Sequence, residues 1–264
     1  MNQENKFLHH SPCENCGSRD NLAVYEDHTY CFGCRQYNTL NGELPKIKER
    51  TEFKNMIDGK VEALPSRKID SETCNKFNYQ TGVYNGKPVH IANYYDKDYN
   101  IVAQKLRFQD KKFTWLGDTD KITLFGQNLW RDGGDKSKLI ITEGELDCLS
   151  VSKVQQNKWP VVSVPSGATS AKKYIKKELD WISKFSSIIL MYDEDEAGKQ
   201  AVIDCASILP VKKVKIATLP AKDPSELLQS GRGEQIVQAM WEAKAYTPQG
   251  IIEGSETKDL LLKD

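Results

Sequence analysis

Three acidic residues that directly follow apolar stretches are the first candidates for chemistry in this sequence. The stretch Ile188–Tyr192 ends at Asp193 and Asp195, and the stretch Leu139–Thr142 ends at Glu143. An apolar stretch of about five residues followed by a helical segment is typical of a buried parallel strand. Open α/β sheets bind ligands at the carboxyl ends of their strands. We therefore expect the three carboxylates to converge at one sheet edge if the two strands are neighbours.

Carboxylates that converge repel one another unless a cation lies between them. Oxygen ligands with little His or Cys nearby suit an ion of the Mg²⁺ type. The alternative is that each acidic residue only caps the helix after its strand. Either segment alone leaves both interpretations open. The recurrence of the pattern in two strand–helix units favours a catalytic metal site that includes Glu143, Asp193 and Asp195.

Cysteines in closely spaced pairs indicate a second metal site. The motif Cys-x-x-Cys occurs twice, with 14 residues between the pairs, at Cys13, Cys16, Cys31 and Cys34. Four thiolates in this spacing predict structural zinc. The residues between the pairs predict the strands Leu22–Tyr25 and Thr29–Cys31 of a zinc ribbon. The total of seven cysteines is odd, which argues for metal binding in a reducing compartment and against a disulfide framework.

Net charge and apolar content narrow the classes of protein further. The 264 residues have a formal net charge of zero, so no overall basic field indicates a nucleic-acid partner. No apolar stretch approaches the roughly 18 residues that suggest a membrane span, and the N-terminus lacks the pattern of a signal peptide. The sequence predicts a cytoplasmic protein without membrane contact, in which local patches would bind any nucleic acid.

Changes in composition along the chain predict four regions. Residues 1–40 form the zinc ribbon, and the polar residues 41–60, punctuated by Gly and Pro, form a linker. Residues 61–246 form one large domain, and residues 247–264 form a polar tail or a further linker.

The first part of the large domain, residues 61–130, predicts an α+β arrangement with a basic third strand. Residues 97–112 contain five basic and two acidic residues, and Lys105, Arg107 and Lys111 are interleaved with aromatic side chains. Such a mixture suits single-stranded nucleic acid or a nucleoside triphosphate. An ordinary solvated strand face above core aromatics is an equal alternative.

The second part of the large domain, residues 137–219, alternates strands with helices as a parallel sheet does, which makes the protein α/β. After the second of these strands, Ser170 predicts a helix N-cap whose backbone N–H groups, together with Lys172, could hold a phosphate. A plain capped helix with a basic face is the even alternative. After the last strand, Asp223 begins a capping pattern, and capping is the safer interpretation of that residue from spacing alone.

His28 lies just before the second cysteine pair, where four cysteines already complete the zinc site. It is either an ordinary surface residue or part of a polar and aromatic face, with Asp27 and Tyr30, that suits contact with bases. Residues 1–40 are net acidic. A ribbon of this charge that binds nucleic acid would read base edges more than phosphates.

The motifs taken together resemble a known family. The segments EGELD at 143–147 and MYDEDEAG at 191–198 resemble the two halves of a TOPRIM domain, the Mg²⁺-binding fold of DnaG-type primases, topoisomerases and some nucleases. With CENCGS, DHTYC, QKLRFQDKKF, LFGQNLW, ATSAKK and LPAKD, the chain as far as about Ile252 resembles the primase half of the primase–helicases of T-seven-type bacteriophages. This resemblance implies an RNA-polymerase domain in which an α+β subdomain precedes a Rossmann-like TOPRIM core, residues 137–219, with a mainly parallel sheet.

The resemblance also implies roles for individual residues. Zinc would be held by the four paired cysteines, and template selection would use His28 with Asp27. The acidic site for Mg²⁺ or Mn²⁺ would comprise Glu143, Asp193, Asp195 and Asp223. Catalysis would involve Glu143, Lys105 and Lys111. The nucleotide phosphates would be held by Lys105, Arg107, Lys111, Ser170 and Lys172.

We therefore expect a DNA primase that synthesises short oligoribonucleotides from ribonucleoside triphosphates on single-stranded DNA, starting at a specific trinucleotide. A replicative helicase, fused or separate, and a DNA polymerase would be its partners, in an infected bacterium if a phage encodes the chain. The motif Gly-x-x-x-x-Gly-Lys-Ser/Thr is absent from the sequence, so we expect no ATP-driven motor and either a stand-alone primase or a fragment. Two alternatives are a TOPRIM nuclease and a non-catalytic zinc-ribbon protein that binds DNA and recruits a partner.

Overall fold

The structure is a computed structural model that describes residues 6–34, 36–39, 55–130 and 138–248. The chain divides into two compact units, Met1–Phe53 and Lys54–Asp264. The predicted linker and the predicted tail lie mostly outside the described residues. The four predicted domain boundaries therefore stay predictions.

The first unit is a small antiparallel sheet in the order β1-β2-β3-β4. Its strands are β1 (Phe7–Ser11), β2 (Leu22–Tyr25), β3 (His28–Cys31) and β4 (Tyr37–Thr39). The two predicted strands are confirmed, and the outer strands β1 and β4 were not predicted. Among the described residues of this unit, the buried apolar side chains are Cys13, Ala23 and Cys31. So small a core cannot stabilise the sheet alone, and a unit of this kind depends on its metal for folding.

The second unit begins with an antiparallel sheet in the order β5-β6-β7-β8. Its elements are α1 (Ser71–Lys76), β5 (Tyr79–Tyr84), β6 (Lys87–Tyr95), β7 (Ile101–Phe108) and β8 (Phe113–Gly117). Helix α1 begins after Asp70, because the Asp70 side chain accepts a hydrogen bond from the Thr73 N–H at 2.9 Å. The basic strand β7 lies between β6 and β8, and β8 was not predicted.

A second sheet follows in the order β10-β9-β11-β12-β13. Its elements are β9 (Lys138–Thr142), α2 (Glu145–Val154), β10 (Val161–Ser163), α3 (Ala168–Lys177), α4 (Leu179–Ile182), β11 (Ser187–Met191), α5 (Glu196–Ala206), β12 (Val214–Ile216), α6 (Pro224–Gln229), α7 (Gly233–Trp241) and β13 (Lys244–Ala245). The first four strands are parallel, and the edge strand β13 is antiparallel. The predicted α/β class is confirmed, and the two strands that precede the acidic residues, β9 and β11, are neighbours.

Both faces of the parallel sheet are buried. Along β9, Ile140 belongs to one apolar core, while Leu139 and Ile141 belong to the core on the opposite face. The core that contains Ile140 also includes Tyr94 and Ala103 of the antiparallel sheet, so the two sheets of this unit share apolar contacts. Across the described residues, no helix has the length and apolar character that crossing a membrane requires.

A glycine fixes how closely helix α5 approaches the end of strand β11. A Cβ atom on Gly198 would lie 2.1 Å from the carbonyl oxygen of Asp193 and 3.1 Å from its amide nitrogen. These are backbone atoms that cannot move aside without shifting the strand end. Only glycine therefore allows the turn between Asp193 and α5 to be this tight.

Candidate active site and metal centres

The four paired cysteines form a closed cluster in the first unit. Their sulfur atoms lie within 4.8 Å of one another, with Cys13 and Cys34 at 3.8 Å and Cys16 and Cys31 at 3.6 Å. In a tetrahedral site with Zn–S bonds of about 2.3 Å, the ligand sulfurs are about 3.8 Å apart. The cluster therefore fits a structural zinc ion.

Neighbouring donors favour the thiolate form that zinc requires. The Ser18 hydroxyl, 3.4 Å from Cys16 Sγ, and the Ser18 backbone N–H lower the pKa of Cys16 to about 6. The Asn15 side chain donates to Cys34 Sγ at 3.5 Å, and this hydrogen bond lowers the pKa of Cys34 below its ordinary value. These contacts favour the thiolate state of Cys16 and Cys34, which is the state that binds metal, whereas burial raises the pKa of Cys13 to about 11.

Ten charged residues of the described part of the second unit line a cleft of about 570 Å³. One group of lining residues is basic: Arg67, Lys105, Arg107, Lys111 and Lys222. The other group is acidic: Glu143, Glu145, Asp147, Asp193 and Asp223. Most of the basic residues come from the antiparallel sheet and the acidic residues follow strands of the parallel sheet, so the cleft depends on both sheets.

Glu143 and Asp193 occupy the carboxyl ends of two paired strands. Thr142 and Met191 are direct partners in the β9–β11 register, so Glu143 lies one residue and Asp193 two residues beyond the paired strand ends. Burial, with the charges of Glu143 and Asp223, raises the pKa of Asp193 to about 7. Burial also raises the pKa of Glu143. Each group is therefore held in a site that opposes its ionised form.

Asp147 is an acidic residue of this site that sequence reasoning missed. It lies in the first turn of α2 and is almost fully buried. Burial, with the charges of Asp223 and Asp193, raises its pKa well above the ordinary value. Its spacing of four residues from Glu143, one turn into α2, is the signal that could have identified it.

A divalent cation fits this acidic group by its chemistry. Glu143 Oε2 is buried and has no hydrogen-bond partner, while Glu143 Oε1 accepts from the Ala168 N–H at 3.2 Å. Over the described parts of the chain, no three carboxylates bring oxygens within 4.8 Å as the cysteine sulfurs do. Mg²⁺ is suited to such a site, because it usually binds one or two carboxylates and fills its other positions with water and phosphate oxygens.

Asp195 and Asp223 act as helix caps. Asp195 Oδ1 accepts from the Gly198 N–H at 3.0 Å, and Asp223 Oδ1 accepts from the Glu226 N–H at 2.7 Å. The hydrogen bond from Gly198 lowers the pKa of Asp195. Asp223 still lines the cleft, whereas Asp195 is not among its lining residues. Capping and contact with the cleft are therefore compatible for Asp223.

Lys222 is a cation of the cleft that sequence reasoning also missed. Its Nζ lies 3.3 Å from Asp195 Oδ2 and 3.7 Å from Asp193 Oδ2. The Glu194 N–H donates to the Lys222 carbonyl at 2.8 Å, which fixes this loop beside the end of β11. Its position directly before Asp223 in the LPAKD motif was the available signal.

Lys105 reaches the cleft but is bound within the protein. It is 8% exposed, and its Nζ donates to Glu145 Oε1 and to the Pro165 carbonyl, each at 2.8 Å. The Tyr94 hydroxyl donates to the same Glu145 oxygen at 2.5 Å. Arg107 and Lys111 also line the cleft, as the sequence suggested. Lys105 is thus one member of a buried ion pair with Glu145 as well as a candidate phosphate ligand.

The structure contradicts the prediction that Ser170 is a helix N-cap. Helix α3 begins at Ala168 with Gly167 as its N-cap, because the positive φ of Gly167 (69°) ends the turn earlier. Ser170 instead donates to the Ser166 carbonyl at 3.1 Å. Neither Ser170 nor the exposed Lys172 lines the cleft, whereas Ser166 and Gly167 do.

His28 and Asp27 are adjacent in the first unit, as the sequence suggested. Asp27 Oδ1 lies 2.7 Å from His28 Nδ1. Strand β3 begins at His28, and Asp27 is in the turn that precedes it. The pair is therefore a fixed polar group on the ribbon.

A zinc ribbon and a Toprim-type sheet with an acidic cleft define the class of protein. Two family models match the chain: bacteriophage T7 DNA helicase/primase, N-terminal a+b fold, at residues 59–117, and Toprim-like, at residues 140–228. The DNA helicase/primase of Enterobacteria phage T3 is 37% identical over an alignment of 267 residues, which covers 96% of this chain and 47% of that protein. The chain spans about half the length of the curated relatives it matches.

Two solved structures from bacteriophage T7 are also similar. The primase fragment of the T7 primase-helicase protein is 38% identical with a TM-score of 0.67, over 89% of this chain and 100% of that one. The second structure shows the T7 lagging-strand DNA polymerase interacting with primase domains of two gp4 subunits bound to an RNA/DNA hybrid and dTTP. One of its chains is 38% identical with a TM-score of 0.68, over 73% of this chain and 100% of that one. The chain belongs to the family of T7-type phage primase–helicases and matches its primase part.

The raised pKa of Asp193 predicts how stability changes with pH. The folded-state pKa of about 7 exceeds the ordinary value of 3.8. At pH values between these two the folded state binds more protons than the unfolded state, so the free energy of unfolding falls as pH rises through this range. In the presence of a chelator at pH 8, the free energy of unfolding of Asp193→Asn, measured in urea, should exceed that of wild type by on the order of 3 kcal/mol. This difference should shrink toward pH 4.

Mg²⁺ should reverse this ranking, because only the wild type keeps the Asp193 carboxylate as a ligand. The matched control is Glu196→Gln, an exposed change on the next helix. An Asp193→Asn variant that is less stable than wild type at pH 8 in chelator would contradict the electrostatic description of the cleft.

The buried pair of Lys105 and Glu145 predicts a stability effect separate from catalysis. Lys105→Met should lower the free energy of unfolding by about 3 kcal/mol, because it leaves the Glu145 carboxylate buried without its cation. Adding Glu145→Gln should recover much of that loss. Lys111→Met, at an exposed residue of the same cleft, should change stability by less than about 0.5 kcal/mol. Equal losses from the two lysine variants, measured by urea unfolding, would show that Lys105 is not the structural partner of Glu145.

Proposed function

We propose that this chain is a DNA primase that synthesises short oligoribonucleotides on a single-stranded DNA template. The observation that supports the proposal most directly is the cleft in which a carboxylate group at the ends of parallel strands faces a basic group from the antiparallel sheet. Nucleotidyl transfer needs both, since the triphosphate is anionic and its metal ions need oxygen ligands. Membership of the T7-type primase–helicase family supports the same activity.

In this proposal Glu143, Asp193 and Asp223 hold Mg²⁺ or Mn²⁺, with Asp147 behind them and Asp195 at the side of the site. The bound cation supplies neutralisation of the triphosphate charge and a lower pKa for the attacking hydroxyl. The four cysteines hold zinc and so keep the ribbon folded.

The basic residues orient the nucleotides. Arg107 and Lys111 bind phosphate oxygens, as does Arg67, which sequence reasoning missed. Lys105 contributes positive charge to the same side from a position fixed by Glu145. Ser170 and Lys172 lie farther along α3 and are proposed only as outer phosphate contacts. The 3′-oxygen of one nucleotide then forms a bond to the α-phosphorus of the next, and pyrophosphate leaves as the bridging bond breaks.

We propose further that His28 and Asp27 take part in selecting a template trinucleotide, and that partners are a replicative helicase and a DNA polymerase. The phage T3 relative is a DNA helicase/primase. The similar T7 structure contains primase domains that interact with the lagging-strand DNA polymerase. These relatives support an association within a replication assembly, in the cytoplasm of an infected bacterium.

Primer synthesis tests the proposal. The protein is incubated with single-stranded DNA that contains every trinucleotide, labelled ribonucleoside triphosphates and Mg²⁺, and the products are sized. We expect short oligoribonucleotides that start at one recurrent trinucleotide. Asp193→Ala should lower the yield at least a hundredfold with zinc content unchanged, because it removes a metal ligand, whereas the exposed control Glu196→Gln should retain synthesis.

Each alternative has a distinct product in this assay. Shortened DNA without RNA would establish a nuclease and overturn the proposal. DNA binding without either product would indicate a recruitment module. Full synthesis by Asp193→Ala would overturn the assignment of the metal site while leaving the primase activity in place.

A further inference from the structure

Four aromatic rings form a row across the zinc ribbon, one from each strand. Phe7 of β1, Tyr25 of β2, His28 of β3 and Tyr37 of β4 have successive ring centroids at 5.7, 4.3 and 4.7 Å. The strand register explains the row, because Phe7 pairs with Tyr25 and the two-residue turn places Tyr25 opposite His28. Side chains of paired residues lie on the same sheet face.

The ring of His28 is covered on both faces. It is parallel to Tyr25 within 8° and to Tyr37 within 12°. These tyrosines belong to β2 and β4, which pair with opposite sides of β3, so each covers a different face of the imidazole. The His28 side chain is 13% exposed. A ring enclosed in this way cannot stack on a nucleic-acid base, so only its edge is available for contact.

Asp27 determines what that edge can do. A carboxylate only accepts hydrogen bonds, so the 2.7 Å contact places the proton of the neutral imidazole on Nδ1. Nε2 is then an acceptor at the opposite edge of the ring. An acceptor pairs with an N–H donor of a template base, such as the exocyclic amino group of adenine, cytosine or guanine.

We propose that Tyr25 and Tyr37 are positioning residues that hold His28 edge-on, so that Nε2 accepts a hydrogen bond from the amino group of one template base. This inference rests on the proposed primase function. Imidazole rotation about its last side-chain bond is otherwise broad. Stacking on both faces restricts the rotation before template binds, which lowers the ordering cost of recognition and sharpens the choice of base.

The row also fits an ordinary structural role, because cross-strand aromatic pairs stabilise small sheets. The two roles predict different results. A purely structural row would affect zinc retention or synthesis on all templates alike. A positioning row affects the discrimination between templates that differ by one amino group.

The test uses the full chain and templates that carry the start trinucleotide found by primer synthesis. Each base of that trinucleotide that has an amino group is replaced in turn by its analogue without it: hypoxanthine for guanine, purine for adenine, and pyrimidin-2-one for cytosine. Synthesis on each template is measured for wild type, Tyr25→Leu and Tyr37→Leu. The matched controls Tyr25→Phe and Tyr37→Phe keep the stacked rings.

We expect that one replacement lowers primer synthesis by wild type and by both Phe variants. The same replacement should lower synthesis by the Leu variants about tenfold less. The other replacements should lower synthesis by all five proteins equally. Zinc content and the extension of an annealed oligoribonucleotide should be unchanged in every variant. If Tyr25→Leu loses zinc, Tyr37→Leu alone decides the test, because Tyr37 lies on an edge strand and is 40% exposed.

Equal effects of every replacement on wild type and Leu variants would overturn the positioning role while leaving primase activity established. A start site made only of thymine would overturn it as well. Absence of any RNA from the wild type is a different failure, because it would overturn the proposed function and this inference together.

Discussion

Carboxylates gathered beyond the ends of neighbouring parallel strands are the constraint on which the rest of this structure depends. Glu143 and Asp193 follow the paired ends of β9 and β11 within two residues, and the loop after β12 adds Asp223. These groups are partly removed from water, so their mutual repulsion is not screened as it is on a surface. Burial, together with the charges of Glu143 and Asp223, raises the pKa of Asp193, and a bound cation is the natural way to offset both effects.

The protein supplies some of this compensation itself. Lys222 lies within 3.7 Å of Asp193 and 3.3 Å of Asp195, and Lys105 neutralises Glu145 at 2.8 Å. Glu143 has no such partner at its buried Oε2. Among these carboxylates Glu143 is therefore the least compensated, and it lies where the end of the sheet meets the cleft. Lys105, Arg107 and Lys111 place positive charge on the other side of the cleft, so a triphosphate and a cation can be held together.

The strand–helix order and the four-cysteine cluster could be predicted because each depends on local sequence. Apolar stretches identified β9 and β11, and the spacing of the paired cysteines identified the cluster. Asp147 and Lys222 had local signals in their spacing from Glu143 and Asp223, whereas the position of Arg67 depends on how distant segments pack. The prediction for Ser170 failed because the turn at Gly167 starts the helix three residues earlier.

The aromatic row of the ribbon shows the same limit. Tyr25 and Tyr37 are separated along the chain, and only the pairing of β2 and β4 with β3 places them on either side of His28. The sequence indicated His28 and Asp27 as candidates for template recognition. It did not show that the edge of the imidazole ring, and not its face, is available for contact with a base. Strands β1 and β4, which complete the row, were not predicted because each is short and lacks clear alternation.

We propose that the cleft binds a divalent cation and a nucleoside triphosphate together. The decisive measurement is anomalous diffraction from crystals soaked with Mn²⁺ and a non-hydrolysable ribonucleoside triphosphate, with zinc at the four cysteines as an internal reference. We expect a manganese peak in contact with Glu143 or Asp193 and with phosphate oxygens that also contact Arg107 or Lys111. A triphosphate bound without manganese in the cleft, or manganese bound only elsewhere, would contradict it.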